Sequence, residues 1–542
     1  MGDTQELVTR SYSSEPKYTQ AKAGMPEDYT EIKTIRDLLE INYKLVDAKD
    51  QLRQNLIALM NGGGKKYPGI LGYDDDVVPA LDRAILSRHD VFLIGQIGQA
   101  KTKLVETIAT NLLSPIPIID GSITNDCPMD LPAQDLASLL EGQEPNSMSP
   151  KFHISPESSQ KILDNKLDTK IVWVDGHHRF RYVLATPDIS VKDLVGYIDA
   201  IKVAKKGVEM YKIDSYSPGQ LLQAKHGIFC IDELPVLDPR KQVALLSVLQ
   251  EGRYTTGSYP VVFEPKTAFF ATANPIDYTH SGKIIEPLYD RLKSHIHTHY
   301  PKTIEDETLI ILQEAKIVNC FVPAFVLKTL ARLVHKARIS SEINQAKGVS
   351  VRFGIHGLEL LVGESERARA ISHKTIAVPR HSDMHCLSQI AKFELSEIDD
   401  TIENRQKIFS QLLEDAVKET SLEYLQGVTP ETLESIKQEF SGKTFQVSQK
   451  MVWQNGQASY KNQLQGFADL AGLVDSKLVQ AKEEQANLEQ KLASEKIASK
   501  NIQPSDRASD ELRSAFLEII LDGLYHVTPK IIDKKEAGYV AA

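Results

Sequence analysis

Several short stretches of this chain carry groups suited to phosphate chemistry. The first is Gly95-Gln-Ile-Gly-Gln-Ala-Lys-Thr102, followed by Lys103. Gly95 and Gly98 let backbone N–H groups turn inward toward phosphate oxygens, with Gln99 and Ala100 completing the loop. Lys101 can reach the β and γ phosphates, and the Thr102 hydroxyl suits Mg2+. The usual pattern is G-x-x-x-x-G-K-[ST], and Ala100 stands where its second glycine belongs. Taken alone, the spacing also fits an ordinary strand-to-helix turn with a surface lysine. The second stretch, Gly227-Ile-Phe-Cys-Ile-Asp-Glu233, ends an apolar run on adjacent carboxylates. Phosphoryl transfer needs one such group to orient Mg2+ and its waters, and another to polarise the attacking water. The third is Thr267-Ala-Phe-Phe-Ala-Thr-Ala-Asn274, whose terminal amide can hold a water or the γ-phosphate. Arg291 follows in Pro287-Leu-Tyr-Asp-Arg-Leu292.

These groups need elements to position them. Val91 to Ile94 reads as a buried strand entering the loop, and Leu104, Ile108 and Leu112 mark one face of a helix leaving it. Phe229 to Ile231 and Ala268 to Ala273 read as further buried strands. Ligands of open parallel sheets sit at the carboxyl ends of the strands. Loop, acidic strand, Asn-ended strand and arginine also occur in the order an ATP-hydrolysing site requires. The fold class predicted is α/β, a parallel sheet flanked by helices.

The remaining segments read less sharply. Residues 1–30 are polar and predict a loose tail. Residues 31–61 carry helical periodicity that Gly62-Gly63-Gly64 ends. Lys65 and Lys66 beside those glycines have no strand before them, which favours a turn over a second phosphate loop. Residues 67–90 predict a loop and then a helix, and 115–120 a buried strand. A Pro/Asp/Ser-rich stretch reaches about residue 165. Residues 169–174 and 180–184 predict strands joined through Asp175-Gly-His-His178, read as a hairpin turn rather than a metal site. Residues 254–263 predict a hairpin turning at Gly257-Ser258. Residues 301–427 are helical by pattern, with a break at Ala377-Val-Pro-Arg-His381, and residues 430–455 are mixed. His381 and His385 beside Cys386 read as polar residues at a junction. Leu478, Ala481, Gln485, Leu488 and Leu492 hold a heptad seam, and residues 509–525 predict a final amphipathic helix.

Composition bounds the partners. The 542 residues are 42% hydrophobic and 25% charged, which allows sizeable cores. A net charge of −10 argues against bulk affinity for nucleic acid or anionic membrane. No apolar run reaches membrane-spanning length, and the first residues carry no apolar signal core. Glu6 stands where a myristoylation motif wants Ser or Thr. Cys127, Cys230, Cys320 and Cys386 are widely spaced, with no C-x-x-C. They suit a reducing compartment, and a cytoplasmic location is expected.

The combined motifs resemble the AAA+ ATPases, specifically the MoxR and magnesium-chelatase I-subunit clade. The matching segments are Gly95 to Thr102, Pro218-Gly-Gln-Leu-Leu-Gln-Ala-Lys-His-Gly-Ile-Phe-Cys-Ile-Asp-Glu-Leu-Pro235, Val243-Ala-Leu-Leu-Ser-Val-Leu-Gln-Glu-Gly-Arg253, Ala271-Thr-Ala-Asn-Pro275 and Leu288-Tyr-Asp-Arg291. Thr186 to Gly196 looks like the segment before that clade's insert. The likeness covers roughly residues 65–400, and alanine before the lysine is typical of the clade. It implies that Lys101 and Thr102 form Walker A, and that Asp232 and Glu233 form Walker B. Glu233 would be the catalytic base, Asn274 sensor 1, Arg291 an arginine finger given to a neighbouring subunit, and Arg352 sensor 2. Arg253 is a weaker arginine candidate.

The organisation this implies is an N-terminal tail and helix (1–64), a P-loop AAA+ core with insertions (65–300), an all-α lid (301–400) and a helical C-terminal extension (401–542). The implied function is ATP hydrolysis with Mg2+ in a homo-oligomeric ring, usually a hexamer. Its output would be chaperone-like remodelling, or metal insertion into a client protein, with a von Willebrand A-type partner. The alternatives are a nucleic-acid-handling AAA+ protein of helicase or transcription-activator type, and the magnesium chelatase ATPase subunit. A nucleotide-gated scaffold with little turnover fits less well, given intact Asp232, Glu233, Asn274 and Arg291.

Overall fold

The computed structural model describes residues 2–143, 151–199, 204, 215–255, 262–275, 284–371, 374–396, 400–447, 460–495, 497, 508–535 and 538–542. The chain forms two compact units, Met1–His299 and Tyr300–Ala542.

The first unit is built on a five-stranded sheet. Its strands are β1 (Val91–Ile94), β2 (Phe180–Leu184), β3 (Ile228–Asp232), β4 (Ala268–Ala273) and β5 (Ser294–His297). They lie in the order β5-β1-β4-β3-β2, and every neighbouring pair is parallel. Parallel strands covered on both faces favour continuous apolar runs, and Val91 to Ile94 and Ala268 to Ala273 are buried throughout. Alternate residues serve opposite faces. Phe92, Phe229, Ile231, Phe269 and Ala271 pack with Leu245, Val248 and Leu288. Val91, Leu93, Ile228, Cys230 and Phe270 pack on the other face with Leu52, Leu56, Leu81, Leu104, Val105 and Ile108.

The flanking helices of this unit are α1 (Ala48–Gly62), α2 (Val77–Leu86), α3 (Lys101–Leu112), α4 (Pro239–Glu251) and α5 (Glu286–Arg291). Gly63 ends α1 in a left-handed conformation, φ 68°, as expected of a glycine cap. The periodic stretch 31–61 is not one helix. A short helix, Ile35–Glu40, is capped by Thr34, and α1 restarts behind the Asp47 cap.

Three other expectations change. Residues 1–30 are not a loose tail: Gly2–Ser13 is helical and buries Val8 against Leu136, Leu139 and Leu140. The Pro/Ser-rich stretch holds the helices Ala133–Glu141 and Pro156–Asn165, whose apolar faces join that same cluster. Finally, the expected hairpin across Asp175 to His178 is absent. Ile171–Val174 pairs antiparallel with Ile116–Ile119, whereas β2 pairs with β3.

The turn instead hooks the chain beneath two helices. A Cβ on Gly176 would lie 2.0 Å from the Ala109 carbonyl oxygen of α3. Arg179 is fully buried and donates to the Ser114 carbonyl (2.6 Å) and to Gln51 Oε1 on α1 (3.0 Å). Burial lowers its guanidinium pKa to about 10. Between 254 and 263, a bridge pairs Tyr254 with Phe263, while the Gly257-Ser258 turn lies outside the described residues.

The second unit contains Ile304–Glu314, Ala324–Ile339, Arg352–Ser365, Ile402–Leu425, Pro430–Glu439, Ala468–Ser494 and Ser509–His526 as helices. It closes with an antiparallel pair, Ile532–Lys535 against Gly538–Ala541, at the end of the stretch 401–542 expected to be a helical extension. The heptad seam lies on Ala468–Ser494, where Leu478, Ala481, Gln485 and Leu492 are buried. Among the described residues no helix is long and apolar enough to cross a membrane.

Candidate functional site

The parallel register brings the carboxyl ends of β1, β4 and β3 to one edge of the sheet. Ala273 pairs with Ile94, and Ile231 pairs with Ala271. The loop after β1, Asn274 after β4 and the Asp232-Glu233 pair after β3 therefore share that edge.

The loop is tightly held from below. A Cβ on Gly95 would fall 2.0 Å from Thr298 Oγ1 and 2.2 Å from Gln99 Oε1, so only glycine fits. Gln99 is buried, and its Oε1 accepts from Thr298 Oγ1 at 2.7 Å. Its carbonyl accepts from the Tyr73 hydroxyl at 2.7 Å. Gln99 thus anchors the loop through its side chain. Gly98 has φ 80°, and Ala100 sits in the left-handed region at φ 52° and ψ 20°. The alanine therefore takes the backbone shape of the glycine it replaces, at a steric cost glycine would not have.

Helix α3 starts at Lys101 with no side chain capping its first turn. Its early N–H groups and dipole remain directed at the loop. Lys101 Nζ reaches back over the loop to the Gln96 carbonyl at 2.9 Å and to that of Gly95. Thr102 and Lys103 follow on the first turn, both half-buried.

Asp232 is the hub of the site. Its Oδ2 accepts from Thr102 Oγ1 at 3.2 Å and from the Tyr182 hydroxyl at 2.7 Å. Its Oδ1 accepts from Thr272 Oγ1. The same Thr272 oxygen accepts the Glu233 N–H at 3.1 Å. Glu233 is left-handed at φ 56°, a strained conformation for a side chain of this size, held at the end of a strand. Burial raises the Tyr182 phenol pKa, and its bond to Asp232 adds to the shift.

Asn274 is 7% exposed, and its Oδ1 is buried without a hydrogen-bond partner. Buried acceptors are nearly always satisfied, so this oxygen, one residue beyond β4, marks a polar position open to a ligand or water. The Thr102 hydroxyl, the Asp232 carboxylate and this amide oxygen are hard donors of the type Mg2+ takes. They fit the nucleotide-bound cation that the sequence implies, with Thr102 and Asp232 as the residues to hold it.

The structure thus brings together Gly95, Gly98, Gln99, Ala100, Lys101, Thr102, Asp232, Glu233 and Asn274. Arg291 lies apart from this network. It ends α5, is partly exposed, and pairs with Asp290 at 2.8 Å. Arg352 is an exposed residue of the second unit, opening the helix Arg352–Ser365. Arg253 pairs with Glu251. Lys66 pairs with Asp82 on α2, an ordinary structural role. His178 bonds Asp175 at 2.8 Å. His381 Nδ1 meets Asp522 at 3.0 Å. Among the described residues no cluster of three or more potential metal ligands occurs.

Tyr182 and Thr272 were not singled out from sequence. Thr272 had one available signal: it is the polar residue inside the otherwise apolar run Ala268 to Ala273. Tyr182 had none, because its contact depends on which strand lies beside β3.

No family model matches the chain. A curated relative, the uncharacterized protein YeaC of Bacillus subtilis (strain 168), is 26% identical over 139 residues, 25% of this chain. The chain spans 39% of that relative's length. Among solved structures, a model of the complex between subunits BchI and BchD of magnesium chelatase aligns at TM-score 0.31 and 16% identity, over 62% of this chain and 98% of that one. NtrX from Brucella abortus in complex with ATP aligns at TM-score 0.33 and 12% identity, over 71% of this chain and 69% of that one. At these levels the functional reading rests on the site's own geometry.

Proposed function

We propose that this chain is an ATPase of AAA+ type. The observation that carries the reading is the meeting of Thr102 and Asp232 at 3.2 Å, since they come from separate motifs 130 residues apart and from non-adjacent strands. The loop amides and Lys101 bind the triphosphate. Thr102 and Asp232 would hold Mg2+, which would neutralise charge on the phosphate oxygens. Glu233, fixed through its N–H by Thr272, accepts a proton from the attacking water. Asn274 Oδ1 orients that water.

Arg291 is the arginine finger of a neighbouring copy in this reading, because it sits partly exposed and outside its own chain's network. Hydrolysis then depends on assembly, and head-to-tail contacts of this kind close into rings, with a hexamer as the working expectation. Arg352 is the sensor of the second unit. The output we favour is remodelling of a client protein, or its activation by metal insertion, with a von Willebrand A-type partner; motif resemblance supports this part.

The test measures binding of a fluorescent ATP analogue and phosphate release across protein concentration. Lys101→Ala should lose binding. Glu233→Gln should keep binding and lose turnover by two or more orders of magnitude. Arg291→Ala should keep binding, lose turnover, and recover some when mixed with Glu233→Gln protein. Unchanged turnover in Glu233→Gln would sink the mechanism.

A further inference from the structure

Tyr182 lies on β2, the edge strand of the sheet, and is 43% exposed. Its register partner is Cys230, two residues before Asp232. That separation is about 6–7 Å of strand, which the long phenol spans and a serine or threonine would not. The hydroxyl meets Asp232 Oδ2 at 2.7 Å, on the oxygen already accepting from Thr102 at 3.2 Å. A carboxylate oxygen offers two lone pairs; Tyr182 takes one, and the other is turned toward Thr102. Thr272 holds the other oxygen. One anchor on Oδ1 leaves the carboxylate free to pivot about that contact, and a second on Oδ2 fixes its plane.

We infer that Tyr182 is a positioning residue for the divalent cation of this site: its hydroxyl sets the plane of Asp232, so that Oδ2 faces Thr102 and the loop. The inference rests on the ATPase reading above. Tyr182 contributes from the edge strand of the sheet, three strands away from the loop's own strand.

The experiment follows binding of a fluorescent ATP analogue in EDTA and through a Mg2+ titration, for the unmodified protein, Tyr182→Phe and Asp232→Asn. A Mn2+ titration read by paramagnetic resonance gives a second readout independent of turnover. Tyr182→Phe should keep its EDTA affinity within about twofold and raise half-saturating Mg2+ about tenfold, the equivalent of about 1.4 kcal/mol. Because each variant is compared with itself, with and without metal, a change in folded fraction cancels. Half-saturation unchanged in Tyr182→Phe but shifted in Asp232→Asn would overturn the inference and leave the site reading standing. Equal losses with and without Mg2+ would mark a packing role and also overturn it. No nucleotide binding by the unmodified protein, or no metal effect in Asp232→Asn, would overturn both readings together.

Discussion

Replacing Ala100 by glycine should stabilise the first unit. Ala100 has φ 52° and ψ 20° and is exposed, so glycine loses no packing there. An L-residue in this left-handed region costs about 1–2 kcal/mol, which glycine avoids. Against this, the unfolded chain gains about 0.4–1 kcal/mol of conformational freedom from the added glycine. The difference favours the variant by about 0.5–1 kcal/mol. With a urea slope of about 3 kcal/mol/M, the midpoint should rise by about 0.2–0.3 M at unchanged slope. The control is Ala486→Gly, an exposed position inside the helix Ala468–Ser494. It should lose about 1 kcal/mol, the ordinary helix-interior penalty. Urea unfolding followed by circular dichroism, with fluorescence as a second probe, measures both. If Ala100→Gly loses stability as Ala486→Gly does, the alanine carries no strain and the left-handed assignment is wrong.

Other expectations follow from the same contacts. Thr272→Val keeps the shape of a buried side chain but removes the hydroxyl between Asp232 and the Glu233 N–H; about 1–2 kcal/mol of stability should go, with a larger fractional loss in turnover than in nucleotide affinity. Burial lowers the His226 pKa to about 4, against an ordinary value near 6.5. Its stabilising effect is therefore complete above pH 6.5 and is lost as pH falls toward 4, by about 2 kcal/mol between pH 7 and pH 5. His226→Asn should flatten the acid limb of a stability-against-pH curve. Asp130 sits between buried Lys225 (2.8 Å) and Lys266 (2.6 Å). Burial alone would raise its pKa, yet these cations hold it far below the usual carboxylate range. Asp130→Asn leaves Lys225 buried without its counter-ion and should cost about 3–5 kcal/mol, read by denaturant unfolding at neutral pH.

The elements readable from sequence are those whose signal is local. β1, β3 and β4 are short apolar runs because a parallel sheet buries both of their faces, and the loop after β1 is marked by its own glycines. What was hidden depends on strand order. Asp175-Gly-His-His suits a hairpin turn, yet β2 pairs with a strand more than forty residues onward, and turn chemistry cannot register that. Tyr182 reaches Asp232 only because β2 lies beside β3, and Thr272 only because β4 lies between β1 and β3. The Gly2–Ser13 helix was hidden because its mean composition is polar, while the few apolar residues it docks carry its contribution.

The strand order also sets when the loop can be finished. β1 is made early, but its neighbours in the sheet are β4 and β5, the last strands of the first unit. The floor beneath Gly95 is Thr298, about two hundred residues downstream. At a synthesis rate of about 5–20 residues per second, that interval is about 10–40 s. Throughout it, Val91 to Ile94 lacks both of its sheet neighbours, and the loop after it lacks the floor that Thr298 supplies. Any ligand of that loop therefore cannot help the nascent chain fold. A ligand could contribute to stability only once the first unit is complete, and until then the exposed strand depends on whatever shields apolar chains as they leave the ribosome.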